Sequence, residues 1–175
     1  MPNQAFSLAS LIGEPTVGKG YREGPAFVGG VVSNDIGGGL CLIATGLFQL
    51  FLYSGCKIVE RHSHSIDAYG EERFYTLGED AAISYALKDL VVKNIFSVPL
   101  LLQVKISDGM LECCLCGNEK NPLVVRVKSI VLDKVNPGSH QKCAGWTVCT
   151  MRFVRRLNSS KWFNDYTTFS SYAPS

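Results

Sequence analysis

The stretch 37-GGGLCLIATGLFQLFLYSG-55 decides the architecture. Between a glycine triplet and a closing glycine lie fifteen residues, Leu40 to Ser54, of which only Thr45, Gln49 and Ser54 are clearly polar. An apolar run of this length with glycine at both ends reads as a helix. It starts just after the triplet and stops at Gly55, a residue suited to the left-handed C-cap conformation. Because it is apolar all round, the helix is expected to be buried on most faces. At 1.5 Å per residue it measures about 22 Å, short of the roughly 30 Å hydrocarbon core of a bilayer. A buried helix is therefore expected, not a membrane span.

Toward the N-terminus, residues 1–39 are crowded with turn formers such as Gly13, Pro15, Gly18, Gly20, Gly24 and Pro25. They leave room for loops around one short strand, near Phe27 to Ser33. Past Gly55 the pattern turns to β. Strand candidates are Lys57 to Arg61, Arg73 to Leu77, Ala82 to Tyr85 and Leu90 to Lys93. Pro99 to Ser107 and Leu111 to Cys116 then flank Asp108-Gly109, a strong two-residue hairpin signal. Leu123 to Val135 and Trp146 to Arg155 follow. Short links between successive strands favour antiparallel pairing. The predicted fold is α+β and mostly β: an antiparallel sheet, curled or partly closed into a barrel, around one buried helix at about 40–54. One domain is expected over residues 1–156, with a C-terminal tail over 157–175 that shows no period.

The chain has 175 residues, 46% of them hydrophobic, enough to build a core. Its net charge of +2, from 17 basic against 15 acidic residues, gives no electrostatic reason to expect nucleic acid or an anionic membrane as partner. Met1 to Ser10 lacks the basic and then apolar pattern of a secretory leader. The seven cysteines, an odd number, lack the spacing of a disulfide framework. Reduced thiols in the cytoplasm are the expectation; an anchor upstream would instead place the domain outside the membrane. The spacings of Cys113, Cys114, Cys116, Cys143 and Cys149 do not match paired zinc knuckles, so ordinary buried thiols are expected.

Two places carry chemistry. Cys41 follows the glycines at the start of the helix, where free N–H groups and the positive end of the helix dipole stabilise a thiolate. Gly38 and Gly39 would let a substrate carbonyl approach the backbone closely, so Cys41 reads as a nucleophile beside an oxyanion site. The competing reading is a small apolar residue at the end of a buried helix. His62 and His64 lie two apart, and on a strand both rings face one way. One of them would serve as general base, with Asp67 holding its tautomer; the competing reading is a hydrogen-bonded pair that stabilises the loop to Gly70. Glu72 is a further acid/base candidate, opposite His62 across a turn. Arg61 would hold a substrate carboxylate, and Tyr69 would supply a phenol donor. His62 and His64 with Asp67 or Glu72 lack a metal-binding motif such as HExxH, so no metal is expected. The glycine triplet lacks the following Lys-Ser/Thr of a phosphate loop and the glycine spacing of a dinucleotide site, and no cofactor is expected.

Several of these segments resemble the VanW family. Phe6-Ser7, Gly13-Glu14-Pro15-Thr16 and Lys19 to Gly24 look like its opening segment, and Ile36 to Cys41 like its glycine-rich turn ending in cysteine. Val59 to Asp67 resembles its ERxxHSxD signature. Leu77 to Ala82, Tyr85 through Asp89-Leu90 and Lys93-Asn94 continue the likeness, which covers roughly residues 5–117. The sequence departs from the family at Leu42 and Ala44, where members usually carry Gln and Ser. The resemblance implies a role in glycopeptide resistance or cell-envelope maintenance, with a peptidoglycan-derived peptide or small molecule as ligand. Thiol-dependent acyl transfer or hydrolysis fits the candidate residues. A non-catalytic binding module, which Leu42 and Ala44 favour, and a small-molecule biosynthetic enzyme using His62 and Glu72 are the alternatives.

Overall fold

The computed structural model describes residues 1–28, 31–67 and 69–175. The apolar run forms a helix, α2 (Leu40–Ser54), with Gly39 at its N-cap and Gly55 in the left-handed conformation at its C-cap. Ala44, Thr45, Leu47, Phe48, Phe51 and Leu52 are buried, and they seed the main core together with Leu8, Cys56, Ile58, Ala81, Leu90 and Val92. Among the described residues, no helix is long and apolar enough to cross a membrane.

Among the described residues, strands make up most of the rest, in four antiparallel sheets, none closed into a barrel. Ala5–Ser7 (β1), Lys57–Glu60 (β4) and Val91–Lys93 (β5) form one sheet, with β5 in the middle. Glu23–Val28 (β2) pairs with Val31–Ile36 (β3), and Leu100–Ser107 (β6) with Met110–Gly117 (β7). Leu123–Val135 (β8), Gly145–Arg156 (β9) and Phe163–Tyr172 (β10) complete the largest sheet, with β9 in the middle. A five-residue helix, α1 (Leu8–Ile12), follows β1.

Some elements differ from those expected. The strand foreseen near Phe27 to Ser33 is the meeting point of β2 and β3, and Gly29 and Gly30 themselves lie outside the described residues. Residues 73–77 make no ladder. Arg73 turns back to Asp67, while Phe74 and Tyr75 stack edge-on with Tyr69, at centroid distances of 5.2 and 6.1 Å. Side-chain contacts hold this loop where backbone pairing was expected. Residues 82–85 make only isolated bridges, Ala82 with His62 and Ser84 with Lys88. The segment 157–175 contributes β10, whose Tyr172 is buried against Leu77 and Val148. Of the later cysteines only Cys149 is buried; Cys116 is exposed on β7, which among the described residues pairs with β6 alone.

Three features place the helix. Gly37 has φ +84°, and a Cβ there would stand 3.0 Å from Leu40 and 3.1 Å from Pro15. A Gly37→Ala variant is expected to lose about 1–2 kcal/mol, the cost of a side chain in the left-handed region, read as a lower urea midpoint. Thr45, fully buried, donates to the Ala81 carbonyl (3.2 Å) and accepts from the Ala81 amide (3.1 Å), which fastens segment 80–83 along the helix. At the other end, Arg152 is buried; its Nη1 reaches the carbonyls of Leu52 (3.1 Å) and Cys56 (2.8 Å), satisfying acceptors the helix leaves open. Its charge is met by Asp165 of β10 at 2.9 Å.

Candidate active site

Residues 41, 45, 48 and 52 fall three or four apart and share one face of α2. Against that face lies the segment Gly78 to Ile83. The Cys41 thiol reaches the Ile83 carbonyl at 3.6 Å and is also hydrogen-bonded with the His64 imidazole. His64 Nδ1 sits 2.6 Å from Asp80 Oδ2, so Nε2 is the nitrogen left to face the thiol. Thiol, imidazole and carboxylate thus stand in a row.

Asp80 is fully buried and densely held. Its Oδ2 accepts from the His64 backbone amide at 2.8 Å as well as facing the ring. Its Oδ1 accepts from Arg61 Nη2 (2.8 Å) and from the Tyr172 hydroxyl (2.5 Å). Arg61 in turn spans the Asp80 carbonyl (2.6 Å), the Gly78 carbonyl (3.1 Å) and Ser170 Oγ (2.8 Å), with its guanidinium 4.9 Å from the centre of the Phe48 ring. A carboxylate with this many donors keeps its charge and fixes the proton of His64 on Nδ1.

The electrostatics follow from these contacts. Burial alone would raise the Cys41 pKa, but the His64 hydrogen bond, the Ile83 contact and the charges of His64 and Lys88 outweigh it and bring the thiol below its ordinary value. Burial alone would lower the His64 pKa, yet Asp80 and Cys41 raise it to about 9. Burial pushes Asp80 upward, while His64 and Arg61 hold it below the usual carboxylate value. The combination shifts the balance toward a thiolate–imidazolium pair. Cys41 is the second residue of α2; in this first turn the Leu40 amide donates to the Gly37 carbonyl (2.9 Å) and the Ile43 amide to the Gly39 carbonyl (3.4 Å), which leaves the amides of Cys41 and Leu42 for a substrate oxygen. They are donors available to a developing oxyanion.

The other candidates are distributed around this row. Gly38 and Gly39 form the turn directly before α2, and the Gly38 amide donates to the Asp35 carbonyl. Tyr69 stands at the rim, 37% exposed; burial and the negative charge of Cys41 raise its pKa. His62 turns away from His64: its Nε2 meets Glu60 Oε1 at 2.9 Å in a half-exposed position. The chain leaves regular pairing after the His62–Ala82 bridge, so the alternation that would align both rings is lost. Asp67 gives both oxygens to Arg73 Nε (3.0 and 2.9 Å) and one to the Gly70 amide, and Asp80 occupies the place beside the imidazole. Arg61 is buried against Asp80, with its donors used inside the protein. Glu72 lies in a short 3-10 turn, Gly70–Glu72, and is exposed. Sequence reasoning passed over Asp80 and Tyr172. Asp80 lay within the quoted likeness Leu77 to Ala82, which was the signal available; Tyr172 had none. Among the described residues no three His, Cys, Asp or Glu side chains are grouped to hold a metal ion.

The arrangement defines a class: an α+β domain presenting a cysteine thiol at a helix start, backed by a buried imidazole and carboxylate. Comparison with known proteins gives the family. The model described as "VanW like protein" matches residues 1–116, and the chain belongs to that family. The "Uncharacterized protein YoaR" of Bacillus subtilis (strain 168) is 32% identical over 118 residues, 67% of this chain and 38% of that protein. The "Vancomycin B-type resistance protein VanW" of Enterococcus faecalis (strain ATCC 700802 / V583) is 30% identical over 94 residues, 53% of this chain and 34% of that protein. The chain therefore spans a little over a third of the length of these relatives. No solved structure matches. Cys41, His64 and Asp80 lie inside the matched region; Ser170 and Tyr172, which complete the setting of Asp80, lie beyond it.

Proposed function

We propose that this domain is a cysteine-dependent acyl transferase or hydrolase acting on a cell-envelope peptide. The observation that carries the chemistry is the Cys41–His64–Asp80 row, with a thiol moved down and an imidazole moved up toward an ion pair. The relative named for vancomycin resistance supports the envelope setting. In the proposed reaction the Cys41 thiolate attacks a peptide carbonyl, and first-turn amides of α2 bind the oxyanion. The imidazolium of His64 gives its proton to the departing amine as the carbon–nitrogen bond breaks, leaving a thioester. Water or an acceptor amine then attacks, returning a proton to His64 and the free thiolate to Cys41. Lys88, whose charge is felt at the thiol, is placed to attract a substrate carboxylate. The seven cysteines, all free, fit a reducing, cytoplasmic setting.

The test is intact-protein mass spectrometry after incubation with a pool of cell-wall stem peptides. A covalent adduct equal to an acyl fragment is expected on native protein and on no Cys41→Ala sample. A Cys41→Ala variant that processes the same peptides at the native rate would overturn the reading.

A further inference from the structure

On a neighbouring face of α2, a cavity of about 740 Å³ opens between the helix, the 73–76 loop and β7, lined in part by Leu50, Tyr53, Phe74, Tyr75, Glu79 and Leu111. Its chemistry is unusual in one respect. Glu79 is 4% exposed, yet its carboxylate receives hydrogen bonds from two neutral hydroxyls, Tyr53 (3.0 Å) and Ser129 (3.1 Å). Among the described residues no cation stands within ion-pair distance of it. Arg73, a cation among the lining residues, directs its Nε at Asp67. A carboxylate withdrawn from water without a cation carries a desolvation penalty that two neutral hydrogen bonds offset only in part. Burial accordingly raises the Glu79 pKa, with the hydroxyls pulling the other way. Tying β8 to α2 would need only a neutral glutamine here; the acid is unexplained by that role.

We infer that this cavity binds a primary alkylammonium group, as on the side chain of a diamino acid, with Glu79 as its counter-ion. Leu50 and Leu111 receive the methylene chain, and the rings of Tyr53, Tyr75 and Phe74 offer faces to the cation. The inference stands on the cavity and its uncompensated acid, independent of any reaction at Cys41.

Calorimetric titration of the full chain with Nα-acetyl-L-lysine methylamide, and with the norleucine analogue that lacks the ammonium, tests it. Saturable binding of the lysine probe is expected, at least about tenfold tighter than the norleucine probe, the ordinary worth of a charge-assisted hydrogen bond. Glu79→Gln should remove that preference. Phe74→Ala, at a half-exposed rim position, should weaken the lysine probe. Cys41→Ala should bind as the native chain does, which separates this site from the proposed reaction. Equal affinity for the two probes, full affinity in Glu79→Gln, or no saturable binding of lysine would each overturn it.

Discussion

At pH 7, Cys41 is expected to react with iodoacetamide while the buried Cys56 and Cys149 stay unlabelled, and replacing His64 with Ala is expected to abolish that advantage. The sign follows from the competing influences on the thiol. Burial raises its pKa, and His64 is the first of the groups that bring it back down, through both a hydrogen bond and its positive charge. With the imidazole gone, burial remains and the thiol moves up, so the thiolate fraction at pH 7 falls. The rate should drop by about tenfold or more, the scale of a lost hydrogen bond to a charged group. In native protein the rate should rise with a midpoint below the ordinary thiol value. The His64→Ala profile should shift to the alkaline side. Peptide mapping of the labelled cysteines over pH 5–10 reads all of this at once. Identical profiles for Cys41 in the native and His64→Ala proteins would remove the imidazole from the site. His62→Ala, whose ring faces Glu60, serves as the comparison and should leave the profile in place.

The sequence announced the helix and half of this site, for identifiable reasons. Gly37 to Gly39 and Gly55 mark the two ends of α2 because positive φ at 37 and 55 is what glycine alone adopts cheaply. Cys41 was therefore placed at a helix start from local pattern. Asp108 and Gly109 likewise fixed the β6–β7 turn, both with positive φ. The carboxylate partner of His64 was not legible, since proximity along the chain pointed to Asp67, three residues away. Arg73 captures Asp67, and Thr45 holds the Ala81 backbone so that Asp80, sixteen residues on, meets the ring. Contacts made through a third element leave no spacing rule in the sequence. β10 was missed for a different reason: its burial alternates, with Tyr166, Thr168, Ser170 and Tyr172 inward, but Thr and Ser fill inward places while Phe169 is exposed, so no apolar alternation shows in the sequence.

Asp80→Ala is expected to destabilise the fold by about 3–5 kcal/mol, the cost of leaving a buried charge without its partner, read as a fall in the guanidinium midpoint. The buried charge is Arg61, whose side chain is 2% exposed and whose Nη2 rests on Asp80 Oδ1. The Tyr172 hydroxyl and the His64 amide lose their acceptors as well. Asp80→Asn separates stability from chemistry. The amide oxygen still accepts from Arg61 and Tyr172, so more of the fold's stability should survive than in the alanine variant. Its NH₂, however, would sit where Oδ2 accepts from His64, and donating to Nδ1 would force the ring proton onto Nε2, the nitrogen facing the thiol. A neutral imidazole in that tautomer has no lone pair to take the Cys41 proton and no charge to hold a thiolate. Asp80→Asn should therefore fold yet alkylate at Cys41 as slowly as His64→Ala. If it folded and kept the native alkylation profile, Asp80 would be a structural anchor for Arg61 and Tyr172 alone, and the row would shrink to a Cys–His pair.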